Sequence, residues 1–91
     1  MNDLLTEFKE RMKIFHTTED DNLLRILESS QEYINSRCGV SADTNQQAKE
    51  LVLERSRYAY NDSVEYFEDN FLSQILSLSF DNYEEGVAIV E

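Results

Sequence analysis

The sequence predicts an all-α protein, a small bundle of three to five helices with a long third helix, and three observations carry that expectation. Proline is absent and glycine occurs only at Gly39 and Gly86, which leaves little material for hairpin turns or Gly-rich ligand loops. Apolar residues recur at three- and four-residue steps through most of the chain, the spacing of one face of a helix. Short polar side chains able to cap a helix stand where these stripes begin.

Asp3 is placed to cap a first helix in which Leu4, Leu5, Phe8 and Met12 form one apolar stripe, ending near Ile14 to His16. Thr17-Thr18-Glu19-Asp20-Asp21 then offers a threonine cap followed by acids in the first turn, where they complement the positive end of a helix. From Asp20 to Arg37, Leu23, Leu24, Leu27, Ile34 and Cys38 share a face with Ile26 and Tyr33 at its margin, and Arg37-Cys38-Gly39 supplies a basic last turn and a glycine stop. Val40 to Asn45 is a loop, with Asp43 or Thr44 as the cap of a third helix beginning at about Gln46.

That third helix carries two apolar lines. Ala48, Leu51, Val52, Arg55, Tyr58 and Ala59 follow one, and Leu53, Tyr60, Val64, Phe67 and Phe71 the other. A domain this small cannot hide both, so the second line asks for a partner. Asn61-Asp62-Ser63 compete for backbone hydrogen bonds, which leaves open one bent helix or two shorter ones over residues 46–70. Leu72, Ile75, Leu76 and Phe80 continue a helical stripe, interrupted by serines, before the acidic segment Asp81 to Gly86 and the apolar Val87-Ala88-Ile89-Val90. No repeat or low-complexity tract divides the chain, so residues 1–91 are expected to form one domain, with 81–91 as a tail that docks on a neighbour or frays.

The formal net charge is −11, and residues 61–91 hold eight acids and no base. Such a segment repels phosphate backbones, which argues against a grip on DNA. A chain of 91 residues buries only about 60–65 % of the surface its unfolded form exposes. Cys38, the single cysteine, offers no disulfide within the chain, so association is the remaining remedy for a thin core. The lone thiol and an N-terminus without a basic start and apolar run suit the reducing interior of a cell. No apolar run approaches the length of a membrane span.

The inventory for chemistry is poor, and neither an enzyme nor a bound cofactor or metal is expected. His16 and Cys38 are each the only residue of their type and fall on different elements, short of any zinc pattern. The pairs Asp20/Asp21, Glu68/Asp69 and Glu84/Glu85 point about 100° apart on a helix and do not converge. Asp81 to Gly86 fails as a calcium loop because Tyr83 occupies its third position and no twelfth-position glutamate follows. Aromatics, by contrast, crowd between residues 58 and 83, and Tyr, Phe and Arg are enriched in protein interfaces. Arg55, Tyr58, Tyr60, Val64, Tyr66, Phe67, Phe71, Leu72, Ile75 and Leu76 are therefore the candidate oligomer or partner interface.

Two stretches carry a family resemblance. Glu19-Asp20-Asp21-Asn22-Leu23-Leu24, running through Ser29-Ser30-Gln31-Glu32-Tyr33-Ile34 to Cys38-Gly39, resembles the second helix of phage head-tail connector (adaptor) proteins. Leu51-Val52-Leu53-Glu54-Arg55-Ser56-Arg57-Tyr58-Ala59-Tyr60-Asn61-Asp62, with Tyr66-Phe67-Glu68-Asp69-Asn70-Phe71-Leu72-Ser73-Gln74-Ile75-Leu76-Ser77-Leu78-Ser79 after it, is similar to members from phages of Gram-positive hosts. The second stretch is the more specific, and together they cover residues 14 to 80. The resemblance implies a structural virion protein whose copies form a ring, commonly of twelve, beneath the portal. It would join the DNA-filled head to a tail or stopper protein, with DNA only as passing cargo and no membrane contact. It would assemble in the host cytoplasm and end at the head-tail junction of the virion. The chain is short for that family, and Val87, Ile89 and Val90 are the candidate portal-docking tail. The rival expectation, from acidity and size, is a phage inhibitor that mimics DNA to block a host nucleic-acid-binding protein.

Overall fold

The computed structural model describes the backbone of residues 2–83 and the side chains of residues 4–80. Four helices, α1 (Asn2–Met12), α2 (Asp20–Cys38), α3 (Gln46–Tyr60) and α4 (Phe67–Tyr83), form a small bundle, with a short 3-10 turn at Val64–Tyr66 leading into α4. The expected all-α class holds, and the described residues contain no strand. The third helix is not the long one: α3 has 15 residues, against 19 in α2 and 17 in α4.

The helix ends explain that division. After Tyr60 the Ser63 N–H bonds the Tyr58 carbonyl at 2.8 Å and the Asp62 N–H bonds the Ala59 carbonyl at 3.1 Å, while Asp62 takes a left-handed φ of 59°. This is the Schellman turn, closed with an aspartate where glycine is usual. The same motif ends α1 ahead of the expected Ile14 to His16: Lys13 has φ 61°, and Ile14 and Lys13 donate to the Lys9 and Glu10 carbonyls at 2.9 and 3.3 Å. Ile14 then turns inward and is buried. Gly39 stops α2 as the sequence indicates, at φ 76°, with its N–H on the Asn35 carbonyl.

Two caps differ from expectation. The residue ahead of α2 is Glu19, which makes no side-chain cap, and the Thr18 hydroxyl is engaged with His16 Nδ1 at 2.9 Å. Asn45, rather than Asp43 or Thr44, caps α3 by accepting the Ala48 N–H at 2.9 Å; it is the residue immediately before the helix and its backbone is extended, as this role requires. Helix α1 begins at Asn2, so Asp3 lies within its first turn.

Helices α2 and α3 run antiparallel, with Tyr60 at the end of α3 bonded to Glu19 ahead of α2. Between them Leu23, Leu27, Ile34, Ala48, Val52 and Leu53 are fully buried, along with Ser30 and Ser56. Leu53, from the second apolar line, is thus part of the internal core. Phe8 of α1 inserts fully into this core. Ion pairs then fasten α1 at its rim, Lys9 to Asp20 at 2.6 Å, Arg11 to Glu50 at 3.0 Å and Lys49 to Glu7 at 2.7 Å. These pairs are partly exposed, so they set register more than they stabilise. Helix α4 closes the other side with Phe67, Ile75 and Leu78 facing inward. The Cys38 thiol points at the Ile75 carbonyl, and the Ser79 hydroxyl bonds the Arg37 carbonyl.

Candidate functional site

The residues singled out for an interface fall into three groups. Phe67 and Ile75 are enclosed in the protomer's own core. Phe67 stacks on Phe71 with ring centroids 4.9 Å apart and meets Tyr58 and Tyr33 edge-on at 5.8 and 6.3 Å. For these rings an internal core, not an interface, is the outcome, because the turn at Asn61–Ser63 folds α4 back against α2 and α3 and brings Phe67 inside. Tyr58, Tyr60 and Phe71 are half-buried at the margins of that packing.

Leu72 and Leu76, by contrast, are 40 % and 45 % exposed, and Phe80 is 70 % exposed. They recur every fourth residue along α4, on a face turned away from Ile75 and Leu78. Asp69, also exposed, heads the same face three residues before Leu72. The two apolar faces expected of a single helix from residue 46 are not found there: Leu53 and Phe67 of the second line are buried, and the exposed apolar line is instead Leu72, Leu76 and Phe80 on α4. Tyr66 and Val64 are exposed beside its start, and Phe15, 83 % exposed between α1 and α2, is a separate apolar projection that periodicity did not single out. Val87, Ile89 and Val90, with the rest of 84–91, lie outside the described residues.

Arg55 and Val64 belong to the third group, a shallow groove of about 290 Å³ on the outer side of α2 and α3 that is also lined by Arg25, Ile26, Ser29 and Ala59. The Arg55 guanidinium lies 4.4 Å from the Tyr33 ring centroid and donates to the Ser30 hydroxyl at 3.1 Å. Burial holds its pKa below the usual arginine value. No carboxylate pairs with it among the described residues, so most of its five N–H donors remain available.

Sequence reasoning missed the polar cluster next to it. Arg37 pairs with Glu68 at 2.8 Å and also donates to the Tyr33 hydroxyl at 2.9 Å, and that hydroxyl donates in turn to Glu68. The Arg37 guanidinium, with help from Tyr33, holds the Glu68 carboxyl below the usual glutamate range. Burial, then the bond to Glu68, pushes the Tyr33 hydroxyl up. The four-residue spacing of Tyr33 and Arg37 was the available signal, but their acid is 31 residues away from Arg37.

This cluster ties α2 to α4, and Tyr33, Arg37 and Glu68 are not among the residues lining the Arg55 groove. His16 is exposed and bonded to Thr18, and Cys38 is buried. Of the paired acids, Asp20 and Glu68 are engaged by Lys9 and Arg37; Glu84 and Glu85 lie outside the described residues. Among the described residues no group of three or more His, Cys, Asp or Glu is placed to hold a metal ion, and no helix is long and apolar enough to cross a membrane. The arrangement is suited to contact with other proteins.

The family model described as Phage gp6-like head-tail connector protein matches residues 2–87. No curated protein and no solved structure matches.

Proposed function

The chain belongs to the phage gp6-like head-tail connector family, and from that premise we propose that it is a structural virion protein that binds the portal and joins the DNA-filled head to the tail or stopper protein. Its copies form a ring, commonly of twelve, around the path of the DNA. It assembles in the host cytoplasm and remains at the head-tail junction. Residues 1–91 act as one domain, and Val87, Ile89 and Val90 dock on the portal.

The observation that carries this reading is the exposed stripe Leu72, Leu76 and Phe80 on a helix whose opposite face is already packed. Contiguous apolar surface on a small acidic protomer marks a site of assembly. The charge supports the same role: an acid-rich channel wall repels the phosphate backbone and lets a packed genome slide without sticking. The DNA-mimic reading is less well supported, because Glu7, Asp20, Glu50, Glu54 and Glu68 are engaged in ion pairs. The exposed acids among the described residues, Glu10, Asp21, Glu28, Glu32, Asp43, Asp62, Glu65 and Asp69, are spread from α1 to α4, with Arg25 standing between Asp21 and Glu28 on α2.

The test is to mix the purified chain with purified portal protein of the same phage and follow both by sedimentation velocity. Co-sedimentation as a stoichiometric ring-bearing complex is expected. A chain that stays free at saturating portal concentrations, and is missing from purified virions by mass spectrometry, would refute the proposal.

A further inference from the structure

We infer that the α4 stripe of one copy seats in the Arg25/Arg55 groove of a second copy, so that the subunit contact is heterologous, one patch of the protomer meeting a different patch of its neighbour. The inference rests on the connector reading only in taking the assembly to be built from copies of this chain.

Both halves of the contact are present on one protomer and are complementary. The stripe offers Leu72, Leu76 and Phe80 with Asp69 at its head, and no base occurs anywhere from residue 61 onward. The groove offers Ile26, Ala59 and Val64 flanked by Arg25 and Arg55, and no acid lines it.

The distribution of bases sharpens the match. Of the eight bases, Lys9, Arg11, Arg37, Lys49 and Arg57 are held in ion pairs. Arg25 and Arg55, two of the other three, stand together at the groove. A half-buried guanidinium without a carboxylate is a poor arrangement for an isolated protomer, and an acid brought in beside apolar side chains completes it. Copies that each carry −11 also repel at long range, so their contact needs local charges of opposite sign. A stripe packed on a second stripe brings no base to Asp69, because none occurs from residue 61 onward. A stripe placed in the groove brings Asp69 to arginine. Because the two patches differ, repeating the contact adds copies head to tail and closes a ring where the rotation allows.

Cross-linking tests the contact. Ile26→Cys and Leu76→Cys are made in separate chains that differ in size by a tag, mixed in equal amounts, and oxidised with and without portal protein. Cys38, 1 % exposed, serves as the silent background, checked with the unsubstituted chain. The expected product is the mixed-size cross-link between positions 26 and 76, well above either same-size product. Arg55→Glu in the first chain should lower its yield about tenfold, and Asp69→Arg in the second should restore it. Arg25→Glu, at an exposed position, repeats the reversal should Arg55→Glu disturb the fold by circular dichroism. Same-size cross-links at position 76 alone, or no cross-link while the chain still co-sediments with portal, would overturn this inference and leave the connector reading standing. A 26–76 cross-link without portal binding would support the contact and count against the connector role.

Discussion

Two substitutions on α4, nine residues apart, should behave in opposite ways. Phe67→Ala removes a ring that is 1 % exposed, stacked on Phe71 and edge-on to Tyr58 and Tyr33. Deleting a buried Phe costs about 3–5 kcal/mol. Each aromatic pair adds about 0.5–1.5 kcal/mol, which puts this site toward the upper end. Native stability of a chain this long is roughly 5–14 kcal/mol, so a third or more should vanish. With a urea slope of about 1–1.5 kcal/mol/M for a small domain, the midpoint should fall by roughly 3–5 M. Leu76→Ser acts on a side chain 45 % exposed. About half of a leucine's burial energy and a small helix-propensity difference are lost, together about 1 kcal/mol, and the midpoint should fall by less than about 1 M. The assay is urea unfolding followed by circular dichroism at low micromolar protein, where the midpoint is shown to be independent of concentration. Self-association, measured in parallel by sedimentation at high concentration, should be abolished by Leu76→Ser. Equal midpoint shifts for the two variants would mean that the outer face of α4 is internal core and that the protomer has no surplus apolar surface to share.

The remaining expectations concern helix ends and the α2–α4 clasp. Because the folded Glu68 pKa is depressed by Arg37 and then Tyr33, its contribution is present above the ordinary glutamate pKa and is lost as the pH falls through the lowered value. The stability difference between wild type and Glu68→Gln, read as urea midpoints, should therefore be constant near neutrality and shrink in acid; a difference that widens in acid would contradict the clasp. Gly39→Ala forces a β-carbon into φ 76° and should cost about 1 kcal/mol, whereas Asp62→Gly, at φ 59°, should gain about 0.5–1 kcal/mol. Opposite signs in thermal melts are the check. Asn45→Ala removes the cap on the Ala48 N–H and should destabilise by about 1 kcal/mol, while Asn45→Asp should largely retain stability.

Legibility in the sequence tracks how local the determining interaction is. The core face of α2 was legible because Leu23, Leu27, Ile34 and Cys38 repeat within one element and all four are buried, while Leu24, expected on the same face, is half-buried. Gly39 was legible because its conformation is nearly a property of its residue type. The ends of α1 and α3 were not, because Lys13 and Asp62 hold left-handed backbone that neither residue type requires. The Schellman turn at Lys13 is held by tertiary burial of its neighbour Ile14. Of the candidate site, Val64, Tyr66, Leu72 and Leu76 emerged as exposed and Arg55 as half-buried, while Phe67 and Ile75 are enclosed. Distinguishing them required the direction in which α4 leaves the turn, which no spacing encodes.

The turn at Asn61–Ser63 also fixes where the surplus apolar surface ends up. Had α3 continued straight through residue 71, Leu53, Tyr60, Val64, Phe67 and Phe71 would have formed one long exposed line. Folding back at Asp62 withdraws Phe67 into the core beside the already buried Leu53, leaves Val64 at the edge of a basic groove, and presents a different line, Leu72, Leu76 and Phe80, on the outer side of α4. The total apolar content is unchanged; its partition between the protomer and its neighbours is set by one backbone reversal. A substitution at Asp62 that straightened the chain would therefore do more than loosen a helix end. It would expose Phe67 and carry Val64 away from Arg55, removing the core packing and the groove together.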